Sequence, residues 1–134
     1  MVLSFQDNSL YGIIPYGISR LNLIYFNVQS NELQVLPSDI FEINGLVYLY
    51  LDRNYFTGTL PSNGNLPMLE LFWIHQNLFS GTIPYWITTN ATTLLYCNMR
   101  GNLLQGSIPN DISGLKVIVE FRVNDNQLTG KYMK

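Results

Sequence analysis

Apolar residues recur along this chain with a long period and, inside it, a short one. Asn8, Asn31, Asn54, Asn77, Asn102 and Asn126 mark the long period, at spacings of 23, 23, 23, 25 and 24 residues. Five residues before each Asn stand Leu3, Phe26, Leu49, Phe72, Cys97 and Phe121, and three before stand Phe5, Val28, Leu51, Ile74, Met99 and Val123. Two after stand Leu10, Leu33, Phe56, Phe79, Leu104 and Leu128. All three columns are wholly apolar, which a chain 47% hydrophobic does not reach by composition alone. The two columns ahead of each Asn are two residues apart, the period of a strand with one face buried. The pattern predicts one short strand per period. A fixed period in the twenties predicts coils stacked into a solenoid, their strands forming a parallel sheet with a spacing of about 4.8 Å.

The polar anchors fit that geometry. Each Asn ends a strand where the chain turns inward, and a buried turn needs partners for its backbone groups. A side-chain amide both donates and accepts, so each Asn is expected to serve its own turn and the next, as a ladder. Gly12, Gly58, Gly81, Gly106 and Gly130 follow at a tight position, and the Ile-Pro or Leu-Pro pair then fixes an extended segment.

The phrase that results, Asn-x-Leu-x-Gly-x-Ile-Pro, as in "HQNLFSGTIP" at 75–84, resembles the plant-specific leucine-rich repeat. That class is found in the ectodomains of leucine-rich-repeat receptor-like kinases and in related secreted inhibitors. The resemblance covers essentially the whole chain. It implies an α/β repeat fold: a right-handed curved solenoid with a parallel sheet on the concave face and short 3-10 or irregular turns on the convex face. It also implies that the concave face holds a peptide or protein ligand, and that a co-receptor takes part. The intact family protein sits at the extracellular side of the plasma membrane, its signal carried by a cytoplasmic kinase.

The chain reads as a single domain, residues 1–134, of about five and a half repeats that begins and ends inside a repeat, as a fragment would. Four irregularities are expected to distort it locally. Gln34-Val35 stands where a Gly phrase belongs and is one residue short; the stretch before Leu23 is also short by one. Gly64 replaces an apolar residue in "PSNGNLP", and "TTNATTLL" at 88–95 carries one residue extra. Leu3, Phe5, Phe121 and Val123 are expected to face open ends, with no cap visible.

Function is sought in the columns that alternate with the buried ones. Positions six, four, two and one before each Asn are expected to form the exposed sheet face. There Tyr25, Tyr48, Tyr50, Leu71, Trp73 and Tyr96 make an aromatic patch in the middle turns, of the kind that dominates binding surfaces. Asp52 and His75 share a column on adjacent strands. The open face argues against catalysis by this pair; a role in tuning binding with pH stands ahead of catalysis, and no function at all stands ahead of both. Arg100 and Arg122, on neighbouring strands, either clamp a ligand carboxylate or are solvated charges offset by Glu120 and Asp125. Some peptide-binding members of the family that the chain resembles use an arginine pair within one strand; here the pair is split between repeats. Trp73 beside Tyr50 also admits a glycan ligand, behind a peptide or protein in preference.

Composition trims the alternatives. Net charge is −2 with a pI near 5, which argues against a nucleic-acid partner. Cys97 is the sole cysteine, so no internal disulfide and no thiolate metal cluster is expected, and no cofactor is called for. The start "MVLSFQDNSL" does not read as a signal peptide, and no window is apolar enough to span a membrane. Asn90-Ala91-Thr92 is an N-glycosylation sequon on the back of the solenoid. The reading is a non-enzymatic recognition module. Its alternatives are a secreted inhibitor of cell-wall-degrading glycosidases, or a receptor-gene remnant without function.

Overall fold

The computed structural model describes residues 1–131, which wind into six stacked coils. One strand from each coil enters a single parallel sheet in chain order: Val2–Ser4, Tyr25–Asn27, Tyr48–Tyr50, Leu71–Trp73, Tyr96–Asn98 and Glu120–Arg122. Equivalent residues lie side by side, as in Tyr25, Tyr48 and Leu71, or Asn27, Tyr50 and Trp73. This register holds across all six strands although the coils differ in length. Pairing outlasts the strands: the Val28 N–H donates to Tyr50 O at 3.0 Å, and the Ser30 N–H to Asp52 O at 3.0 Å.

The residue before each anchor is not part of the sheet face, contrary to the sequence expectation. Asp7, Ser30, Arg53, Gln76 and Asp125 have φ between 53° and 57°, and Gly101 has φ 66°. Each makes the left-handed turn that ends its strand, a conformation that costs an ordinary residue roughly 1 kcal/mol or more.

The anchors hold that turn. Asn77 Oδ1 accepts the Phe56 N–H at 3.0 Å, while its Nδ2 donates to Leu51 O at 2.9 Å, Ile74 O at 3.1 Å and His75 O at 3.4 Å. Asn31, Asn54, Asn102 and Asn126 repeat the pattern. The ladder expected from the sequence is present, but it runs the other way: each Asn serves its own turn and the preceding coil, not the next. Asn8 donates only within its own turn, to Phe5 O and Gln6 O, and is exposed.

The three apolar columns meet inside. Leu49, Phe72, Cys97, Leu51, Ile74, Met99, Phe56 and Leu104 are fully buried. Leu3, Phe121 and Val123 are half-buried and Phe5 is exposed, as expected of the outer coils. Burial pushes the Cys97 thiol well above its ordinary pKa, so it packs as a small apolar group.

The back absorbs the irregularities. It carries 3-10 turns at Ile18–Arg20, Ser38–Glu42 and Ile112–Gly114, and a short α-helix at Trp86–Thr89. The α-helix sits where the sequence has its extra residue, and an α-turn rises less per residue than a 3-10 turn. Gly64 is filled from the neighbouring coil: a Cβ there would lie 2.6 Å from the Trp86 indole. That indole is buried, donates from Nε1 to Pro61 O at 2.8 Å, and packs at an angle against Phe41 and Phe72. The lateral pairing of the second coil shifts register: the adjacent Gly12 and Ile13 face Leu33 and Val35, so Gln34 is left as a bulge. Short lateral strands pair in twos, joining the first coil to the second, the third to the fourth and the fifth to the sixth. Among the described residues no helix is long and apolar enough to cross a membrane.

Candidate functional site

The aromatic patch is a chain of ring contacts across three coils, the second to the fourth. Tyr48 lies 6.1 Å from Tyr25, Tyr25 5.5 Å from Tyr50, Tyr50 5.3 Å from Trp73, and Trp73 5.8 Å from His75, between ring centroids. The two tyrosine pairs are tilted, at 53° and 45°, while Tyr50–Trp73 and Trp73–His75 meet edge to face, at 86° and 73°. Parallel in-register strands bring these rings together, and the rings brace one another upright. All four aromatic side chains are half-buried. The Tyr48 hydroxyl donates to Glu70 Oε2 at 3.2 Å, and that carboxylate raises its pKa. Leu71 departs from expectation: it is buried between Tyr48 and Tyr96 on the adjacent strands. Tyr96 is exposed beyond it, outside the chain of ring contacts.

Asp52 departs further. Expected on an open, solvated face, it is fully buried. A short carboxylate in a column of long side chains is covered by them. His75 Nε2 stands 3.5 Å and Arg53 Nε 3.2 Å from the same oxygen, Oδ2. Burial raises the Asp52 carboxyl pKa, opposed by His75 and Arg53. Burial lowers that of His75; Asp52 opposes this, while Arg53, Arg100 and Arg122 add to it. The pair is therefore enclosed, and water does not screen it as the sequence reading supposed.

Arg100 and Arg122 do not face a common point as free cations. Arg100 Nε holds Asp125 Oδ2 at 2.7 Å and Arg122 Nη2 holds Glu120 Oε2 at 2.9 Å, the offsetting carboxylates named above. Sequence reasoning passed over Asn27 and Asn98. Both are buried on the sheet face, where their Oδ1 atoms accept the N–H groups of Gln29 at 3.0 Å and Arg100 at 3.1 Å. The signal was present: Asn favours a bond to the backbone two residues on. Asn90 is exposed at the end of the short α-helix, away from the sheet. No group of three or more His, Cys, Asp or Glu that could hold a metal ion occurs among the described residues. An open apolar groove of about 510 Å³, lined by Leu3, Phe5, Leu10, Ile14 and Phe26 among others, is the uncovered end of the core at the first coil.

Residues 45–65 match the family model described as Leucine Rich Repeat. The structural match decides the architecture. The plant peptide hormone receptor RGFR1, solved in complex with RGF2, superposes with a TM-score of 0.88 at 30% identity, over 94% of this chain and 20% of that one. The chain is a plant-type leucine-rich-repeat solenoid. The ectodomain of the Arabidopsis thaliana receptor kinase SOBIR1 agrees, with a TM-score of 0.85 at 28% identity over 96% of this chain and 71% of that one. In sequence, the solenoid is 32% identical over 96% of its length to Receptor-like protein 53 of Arabidopsis thaliana. It spans 14% of the length of that relative.

Proposed function

We propose that this solenoid is a non-catalytic recognition module, part of the extracellular region of a plant receptor, and that its sheet face holds a peptide. The observation that carries the reading is the run of tilted rings from Tyr48 through Tyr25 and Tyr50 to Trp73 at the centre of that face. Rings packed at an angle against one another lose little freedom on binding and offer clefts for side chains. They offer no flat platform for a sugar, which favours a peptide over a glycan. The similarity to receptor-like proteins and to a hormone-bound ectodomain supports the same use. Arg100 and Arg122, each held by a carboxylate, flank the strip as rim charges, and Tyr96 and Leu71 extend it toward the fifth coil.

The test is selection of peptides from a phage-displayed random library on the immobilised chain. Tyr50→Ala and Trp73→Ala are each expected to weaken capture of the selected peptide by tenfold or more, on the scale of a binding hot spot, with little change in melting temperature. Equal loss of stability and capture contradicts the reading. Extracellular placement predicts a glycan at Asn90 when the chain passes through a plant secretory pathway, read as a mass shift that Asn90→Gln removes.

A further inference from the structure

Four buried polar side-chain atoms have no hydrogen-bond partner among the described residues, and three of them sit together on the sheet face: Asp52 Oδ1, Trp73 Nε1 and His75 Nδ1. The fourth, Asp39 Oδ1, is on the back. Buried polar groups are ordinarily partnered, and orphans that cluster mark a place poised for an occupant. The cluster continues the ring strip, since the Trp73 and His75 rings are 5.8 Å apart at 73°. Asp52 is fully buried beneath them, with its other oxygen 3.5 Å from His75 Nε2.

We propose that Trp73, His75 and Asp52 form a subsite for one uncharged peptide or carboxamide group of a ligand lying along the strip. The inference rests on the recognition reading above and names the group that the face takes at this point. The chemistry follows from which atoms are engaged. Asp52 Oδ2 lies 3.5 Å from Nε2 and its negative charge favours the tautomer with the proton on that side, which leaves Nδ1 of the neutral imidazole as an acceptor. The Trp73 indole has only a donor to offer. One ligand N–H reaches His75 Nδ1, and one ligand carbonyl accepts from Trp73 Nε1. The His75 side chain is 18% exposed and Trp73 is half-buried, so a small turn of each ring about its Cβ–Cγ bond brings the nitrogen to the ligand. Asp52 touches no ligand; it is a positioning residue that sets the tautomer.

The subsite needs neutral His75. Protonation turns Nδ1 into a donor, which repels the ligand N–H. The charged groups that act on His75 are Asp52 and Arg53 from the third coil, Arg100 from the fifth and Arg122 from the sixth. Only Asp52 favours the proton; the arginines and burial oppose it. Affinity is therefore level at neutral pH and above, and falls as the pH drops through the lowered His75 titration.

The experiment uses the synthesised form of a peptide selected from the phage library at neutral pH, with affinity measured across pH for the parent chain and three variants. His75→Leu is expected to weaken binding about tenfold at neutral pH, the scale of one lost hydrogen bond to a polar ligand group. In His75→Asn the amide oxygen stands in for Nδ1, so binding recovers in part and loses its fall in acid. Nitrogen-15 NMR of His75 is expected to show its titration moving to lower pH when the peptide binds. A peptide weakened by Tyr50→Ala, but indifferent to His75→Leu and to pH, overturns the subsite and leaves the recognition face standing. A peptide that binds more tightly in acid also overturns the subsite. If no peptide is captured, or capture ignores Tyr50→Ala, the recognition face falls and the subsite with it.

Discussion

The sheet side and the back of this solenoid handle the same irregular sequence in opposite ways. On the sheet side, spacings of 23 to 25 residues leave no trace: six strands pair in one register and the anchors make the same bonds in every coil that has a predecessor. On the back, each change of length or size has its own remedy. The lateral pairing of the short second coil shifts register at Gln34, an α-turn at Trp86–Thr89 takes up the long coil, and the Trp86 indole fills the space over Gly64. The difference lies in what each side repeats. The sheet side repeats backbone bonds, which tolerate no shift. The back repeats only the need for apolar volume, which side chains of different shapes meet equally well. The face that keeps strict register is the one that can display an ordered row of side chains.

The largest effect expected from breaking this arrangement is on the back. Trp86→Ala should lower stability by about 4 kcal/mol, since the vacated volume faces Gly64 and cannot collapse onto a side chain. Chemical denaturation measures it, and adding Gly64→Leu should restore part of the loss. On the sheet side, Asn77→Ala should cost about 3 kcal/mol, because the Phe56 N–H and buried carbonyls lose their partner together. Asn8→Ala, in an anchor with no preceding coil to serve, should cost roughly 0.5 kcal/mol or less. Equal losses at Asn8 and Asn77 would show that the ladder adds nothing between coils.

The effect expected at Asp52 is smaller than that at Asn77 and has the less intuitive sign. Burial holds its carboxyl pKa above the ordinary value, so the folded chain keeps that proton to higher pH than the unfolded chain does. The linked stability is present in acid and is lost as pH rises through the folded value. Asp52→Asn, fixed in the uncharged form, should therefore raise stability at neutral pH by on the order of 1 kcal/mol, with the gain fading in acid. Thermal melts at the two pH values check it. A loss at neutral pH would mean that the contacts with Arg53 and His75 outweigh the burial.

Most of the architecture was legible because it is written as a period. Columns five and three before each Asn and two after it place strand, turn and core without reference to any one residue's partners. The aromatic strip was legible for the same reason, since Tyr25, Tyr48, Tyr50 and Trp73 fall in two alternating columns. What was not legible depends on neighbours of unequal size. Alternation alone put Asp52 and Leu71 outside, yet both are short beside the side chains that flank them and are covered. The column before each anchor looked like strand; its left-handed φ is hinted at only by Gly101. The fit of Trp86 over Gly64 joins residues one coil apart, and no column comparison aligns them.

The backward reach of the asparagines has a consequence for how the molecule is made. Asn31 completes the first coil, Asn54 the second, and so on along the chain. A coil leaving the ribosome therefore carries an open turn until about 23 further residues have emerged, a lag of about one to five seconds at ordinary rates of synthesis. Assembly is a relay in which each newcomer locks its elder, and the youngest turn is always the one left unlatched.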